Sequence, residues 1–527
     1  MKRRNVLRMG LAGGAALVAP RIGRSQSAKV VTLTPHADLV SFDPVWTTAD
    51  ITRNFSLAVY DTLYGYDAGF SVQPQMVRGH TVEDDGKVWE LTLRSGLAFH
   101  DGTPVLARDC VASIERAAKR NPFGGALLAR TDELSAPTDK VIRFRLSKPF
   151  SLLPNALAEP YLAIMPERLA KTDPSQQVTE AIGSGPFRYV ASERIPGQRV
   201  VYVKNEKYVP REDGTPSFTA GPKVVYIDRV VWNFIPDPGT AAAALTQGEI
   251  DWWENPSIDL EPQLKRSKDL VVTVKDRTGE IGCLRFNQLF PPFDSAAVRR
   301  VVLAAIDQKE IMDAVAGSDP SLIKTDVGIF APGTPMASTV GTEITRGPKN
   351  YDKLKQDLVS AGYKGEKVVI LAASTIPTIW AAAQVASDVL KKIGMNTDLQ
   401  GLEWGTVVQR RASQAPIDKG GWNIFYTYLG GFGNISPAPD IAIQSSGTKG
   451  SWFGWPNDPK MEALRQTWFD AQDIATQKKI CDEMQVEFWQ NPSYVPLGMY
   501  FQPTAFHSYL TDVRDGWPQF YGLKKSL

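Results

Sequence analysis

The alternation of two hydrophobic periods constrains this chain most. Val30-Val31-Thr32-Leu33-Thr34, Val88-Trp89-Glu90-Leu91-Thr92-Leu93 and Val141-Ile142-Arg143-Phe144-Arg145-Leu146 are β-branched or strictly alternating runs, which is the pattern of strands with one buried face. Between such runs the apolar residues recur at helical spacing. Residues 52–63 carry Phe55, Leu57, Ala58, Val59 and Leu63; residues 103–119 carry Ala107, Cys110, Val111, Ile114, Ala117 and Ala118, with Pro104 near the start. Further helices are expected over 295–316, 351–361 and 380–393. Strand and helix interleaved through both halves predict an α/β protein with mixed sheets. A chain of 527 residues exceeds the roughly 250–300 at which one core stops growing, so two lobes are expected. The change of lobe is expected at the polar stretch Asp276-Arg277-Thr278-Gly279.

The first 27 residues read as an address. Lys2-Arg3-Arg4-Asn5-Val6-Leu7-Arg8 is a charged segment, Met9 to Ala19 is weakly apolar and rich in Gly and Ala, and Ser25-Gln26-Ser27 supplies small residues for cleavage. The paired Arg3-Arg4, with Arg21 and Arg24 near the cleavage site, favour the twin-arginine export route. No later segment is an uninterrupted apolar span of the roughly 20 residues that cross a bilayer, so an exported protein without stable membrane insertion is expected. The charge supports no nucleic-acid partner. The whole chain has 59 basic and 57 acidic residues, and without the leader's six basic residues 53 basic stand against 57 acidic, a formal −4. Cys110, Cys283 and Cys481 are odd in number and widely spaced, which suits buried small hydrophobes.

No catalytic signature is present: the chain lacks G-x-S-x-G, G-x-x-x-x-G-K-[ST] and H-E-x-x-H. The four histidines, His36, His80, His100 and His507, share no ligand spacing. Asp84-Asp85 beside Gly86 is the pattern of a solvated turn. What does stand out is a set of aromatic residues in loop-like segments: Trp46, Trp404, Tyr426, Tyr428, Phe432, Trp452, Phe453 and Trp455. Singly these suit core plugs; together they also suit walls around a small organic molecule.

Ordered motifs along the mature chain resemble one family. Phe99-His100-Asp101-Gly102-Thr103-Pro104-Val105 with Ala107-Arg108-Asp109-Cys110-Val111 resembles the FHDGtPltAeDV segment of the extracellular solute-binding proteins of family 5, the peptide-binding group of ABC importers. Gly183-Ser184-Gly185-Pro186-Phe187 is similar to its GTGPY, Gly248-Glu249-Ile250-Asp251 to its GeiD, and Val298-Arg299-Arg300 through Ala304-Ala305-Ile306-Asp307 to its VRqAl.yAiD. Tyr351-Asp352 through Ala361-Gly362-Tyr363 matches in the same way. Gly183 and Gly185 read as flexible backbone, and Arg299 is expected to pair with Asp294 and Asp307.

The resemblance implies a two-lobed periplasmic binding protein of the clamp type. Lobe 1 would comprise residues 28–275 plus the return at 503–527, with an extra subdomain at about 64–180, and lobe 2 residues 276–502. It implies a monomeric, non-enzymatic carrier without cofactor or resident metal, which closes on a small-molecule ligand and docks on ABC importer permease subunits. An exported hydrolase and a metal-chelate carrier of the nickel type remain as alternatives. Peptide-binding members carry a W-x-A-D-Y segment whose Asp receives the peptide ammonium; here the stretch is Tyr428-Leu429-Gly430-Gly431-Phe432, with Gly431 at the Asp position and no carboxylate nearby in sequence. The expected ligand is therefore less charged than a zwitterionic peptide, or anchored elsewhere, and held by Trp46, Asn287, Trp404, Tyr428, Gly430, Gly431 and Phe432.

Overall fold

A computed structural model describes residues 29–317 and 319–526; the export leader and its twin arginines lie outside the described residues. Three larger sheets organise the chain. The first has seven strands in the order Leu270–Val274, Pro503–His507, Trp252–Trp253, Val30–Thr34, Arg229–Asn233, Arg199–Lys204 and Phe187–Tyr189. Val30–Thr34 runs parallel to both neighbours at its centre, with Val31 and Leu33 buried on one face and Val30 and Thr32 partly buried on the other. The second has six strands in the order Ile323–Lys324, Tyr494–Tyr500, Glu280–Phe286, Ile424–Gly430, Lys367–Ala373 and Asn396–Leu402. The third is an antiparallel sheet of Val77–Glu83, Val88–Leu93, Val141–Leu146 and Thr131–Thr138, with the helix Ala107–Ala118 packed on it. The chain passes between the two large sheets at residues 275–279 and again at 501–502.

Helix ends follow local hydrogen bonding more than apolar spacing. The helix expected from 103 begins at Ala107, because Asp109 Oδ2 accepts from the Leu106 amide and Pro104 lies in a bridge with Ala98. The single helix expected over 295–316 is two, Ala296–Ala305 and Gln308–Ala316: the carboxylate of Asp307 accepts from the Lys309 amide and starts a new helix there. Arg299 does not pair with Asp294 and Asp307 through their carboxylates. It donates to the carbonyls of Pro492, Phe293 and Asp294 and to the Asn491 side chain. Gly183 and Gly185 serve close approach, since a Cβ at either would stand 2.0 and 2.7 Å from backbone atoms of Val59.

Buried ion pairs tie distant segments together. Arg116 makes a two-pronged contact with Asp43 at 2.9 and 2.6 Å, and Lys223 reaches Asp61 at 2.7 Å. All four side chains are buried. The three cysteines are free and buried. No helix among the described residues is long and apolar enough to cross a membrane.

Candidate functional site: a polar and aromatic seam between the two large sheets

In the six-stranded sheet, Lys367–Ala373, Asn396–Leu402 and Ile424–Gly430 run in one direction, and Glu280–Phe286 and Tyr494–Tyr500 run against them or beside them in antiparallel pairs. One edge of the sheet therefore gathers three strand C-termini, the first residue Glu280 and the last residue Tyr500. Glu280 lies in register with Gly430 on one side and Tyr500 on the other. Directly paired residues share a face, so the Glu280 carboxylate stands on the same side as the Tyr500 ring and, two residues before Gly430, the Tyr428 ring. These two rings meet edge-on at 4.8 Å between centroids. Gly430 puts no side chain beside Glu280, and a Cβ there would meet nothing within 4 Å.

The facing wall comes from the start of helix Asp50–Val59 and from the C-terminal return. Arg53 Nη1 donates to Asp50 at 2.7 Å and Nη2 to Asn54 at 3.2 Å, while its guanidinium lies 3.9 Å from the centre of the Trp517 ring. Asn54 donates to Glu254 at 2.7 Å, and Glu254 accepts from both the His36 amide and His36 Nδ1 at 2.8 Å. Burial alone would lower His36, but the Glu254 carboxylate outweighs it and raises the imidazole above its ordinary value. Burial, reinforced by Asp50 and Asp276, raises Glu280 well above the usual carboxylate range, and burial raises Asp276 as well.

The residues expected to contact ligand divide into groups. Tyr428, Gly430 and Gly431 are at the seam. Phe432 is too, but its ring is buried among Tyr66, Phe218 and Trp517 at 5.0–5.7 Å, so it joins the two halves through packing. Trp404 follows the C-terminus of strand Asn396–Leu402 and lies near the Arg411 guanidinium, which is also 4.9–5.6 Å from the ring centres of Phe425, Trp452 and Phe453. Trp46 is 39% exposed on the surface, its carbonyl accepting from Arg120. Asn287 is a correction: it is 1% exposed at the opposite end of the strand from Glu280, its amide donating to the Trp422 carbonyl and accepting from the Leu289 amide.

The structure adds two facts at the position of the missing Asp. A Cβ on Gly431 would stand 1.9 Å from the Thr278 carbonyl oxygen, so this backbone admits no side chain there. A carboxylate far away in sequence, Glu280, is paired with the preceding residue, Gly430. Sequence reading missed Glu280, Asp50, Arg53, Tyr500 and Trp517. The one available signal was the pair of acidic residues, Asp276 and Glu280, bracketing the segment that joins the sheets.

Comparison with known proteins decides the lineage. The model of the bacterial extracellular solute-binding proteins, family 5 (middle region), matches residues 71–452. The chain belongs to this family. Within the family, a Sinorhizobium fredii protein named probable peptide ABC transporter periplasmic-binding protein y4tO is 38% identical over 97% of both chains. The glutathione-binding protein GsiB of Pectobacterium atrosepticum is 23% identical over 91% of this chain and 90% of its own. Among solved structures, the Agrobacterium tumefaciens R10 periplasmic binding protein AgaA in complex with agropinic acid superimposes with a TM-score of 0.79 at 21% identity, covering 94% of this chain and 99% of that one. Helicobacter pylori DppA in complex with the peptide STSA gives 0.78 at 20%, covering 94% and 98%. The fold is thus the two-lobed α/β fold of family 5 binding proteins.

Proposed function

We propose that this protein is the exported receptor of an ABC-type importer, which encloses a peptide or peptide-like solute in the seam and presents the closed form to permease subunits. The observation that carries the reading is the 38% identity, end to end, with a relative named as a peptide transporter's binding protein. The geometry supports it. Polar groups from both large sheets converge at strand C-termini, where α/β proteins bind ligands, and among the described residues two short crossings, at 275–279 and 501–502, connect the halves. In this reading the lobes are residues 28–275 with 503–527 and residues 276–502, the four-stranded sheet is the extra subdomain, and the leader directs export to the periplasm. The protein binds without catalysis and acts as a monomer.

Native mass spectrometry of the chain purified from a periplasmic extract without unfolding should show a retained small molecule. X-ray scattering should show compaction when solute is restored to stripped protein. Peptide turnover, or a chain that neither retains nor compacts around any peptide in a casein digest, would overturn the reading.

A further inference from the structure

We infer that the solute carries an acidic side group and that Arg411, in a pocket walled by aromatic rings, receives it. This rests on reading the protein as a solute receptor and adds one chemical demand on the solute. The Arg411 guanidinium lies 4.9–5.6 Å from the ring centres of Trp404, Phe425, Trp452 and Phe453. Among the described residues its side chain makes no hydrogen bond and no ion pair, and Nε is buried without a partner. Burial pulls the guanidinium down to about 10, with Cys283 acting against it. Rings offset a cation's charge, but they give its five N–H donors no oxygen to bond.

A second guanidinium deepens the shortfall. Arg285 is fully buried and packs 5.3 Å from the centre of the same Trp452 ring. Its Nε and Nη1 donate to the carbonyls of Phe453 and Ala442, each at 2.7 Å, while Nη2 is buried without a partner. The carboxylate that acts on Arg285 through space, Asp440, is engaged elsewhere. It accepts from the Ala442 amide at 2.8 Å and from the Asn434 side chain at 3.1 Å. Two cations therefore share one tryptophan, and no carboxylate among the described residues bonds to either. Buried donors are seldom left in this state, and a charge withdrawn from water calls for an opposite one.

The position of the pocket selects a branch of the solute and not one of its ends. Arg285 is in register with Phe425 and Cys283 with Thr427, so these side chains share one face of the six-stranded sheet, and Arg411 lies against that face. Trp404 begins the wall at the C-terminus of Asn396–Leu402, on the edge that the seam occupies. A solute lying along the seam keeps its ends on that line, and what reaches beneath the sheet face is a side group. Trp404, Arg411, Trp452 and Phe453 are each half-buried, so the pocket is open at its mouth. A carboxylate suits it: the group is flat, enters between rings as the guanidinium does, and accepts two parallel N–H donors.

The test uses the mature chain stripped of retained solute and an equimolar set of synthetic di- to pentapeptides. Each sequence is made as twins, one with a glutamate and one with glutamine in its place, and each twin has either a free or an amidated C-terminus. Captured masses are read by native mass spectrometry. Glutamate twins should be captured about tenfold or more over glutamine twins with either terminus, and Arg411→Met should bring that ratio close to one. Equal capture of the twins, or a preference that vanishes when the C-terminus is amidated, overturns the inference and leaves the receptor reading standing. An Arg411→Met chain that keeps the preference overturns it as well. A parent that captures no member of the set overturns both. The comparison of twins uses the parent protein, so it decides the matter even if the variant misfolds.

Discussion

Gly431 illustrates how one residue's role depends on the backbone opposite it. Its amide donates to the Gly279 carbonyl at 2.7 Å, which draws the start of the Gly431–Asn434 turn onto the segment joining the sheets. Gly431→Asp should destabilise by about 1–3 kcal/mol, the usual range for an overpacked site, and should not create an ammonium site. Chemical denaturation and a solute titration check both halves of that expectation. At Glu159, burial pushes the carboxyl up to about 8 from 4.5. A carboxyl whose folded value is raised is favoured in its protonated form. Its contribution is therefore greatest below 4.5 and declines as pH rises toward about 8. Glu159→Gln should remove this slope, so the parent should lose more melting temperature than the variant between about pH 5 and pH 8. Equal losses would contradict the assignment.

At the scale of elements, apolar spacing located helices and strands but not their ends. Asp307 and Asp109 set two helix starts by accepting amide hydrogens, and their carboxylates are visible in sequence only as hydrophilic positions. The same limit applies to buried pairs. Asp43 and Arg116 are 73 positions apart, yet together they pin the loop before helix Asp50–Val59 to helix Ala107–Ala118. Asp43→Ala leaves the guanidinium buried without its partner and should cost about 3–5 kcal/mol, read from the shift of the denaturation midpoint. A smaller loss in the double variant lacking both charges would show that the cost lies in the stranded charge.

At the scale of the molecule, the four-stranded sheet and the six-stranded sheet's helical layer meet away from the seam. Phe469, near the end of helix Pro459–Asp470, packs against Phe123 and Phe150 with centroids 6.1 Å away, and Asp470 receives Arg130 at 2.9 Å and Lys148 at 2.7 Å. On the clamp reading proposed above, these contacts join residues assigned to different lobes and favour the closed form before any solute arrives. Phe469→Ala should remove about 3 kcal/mol of that packing. The solute-free variant should then show a larger radius of gyration in X-ray scattering and bind solute severalfold more weakly. An unchanged radius would place the clasp outside the closing motion.

The sequence by itself determined the fold class and the family, because both rest on properties that are local in the chain: hydrophobic period, turn residues and ordered short motifs. Only the tertiary structure decided which distant residues meet at the seam. Glu280 and Gly430 are 150 residues apart and become neighbours through antiparallel register, and Arg53 meets Trp517 through the chain's return to the first sheet. Nothing in a one-dimensional pattern encodes which strand edges face each other, so Tyr428, Gly430 and Gly431 were legible from sequence as members of one segment while Glu280, Arg53, Tyr500 and Trp517, which packing brings to the same seam, were not. The charge of the site is a sum over residues that only packing brings within reach of one another.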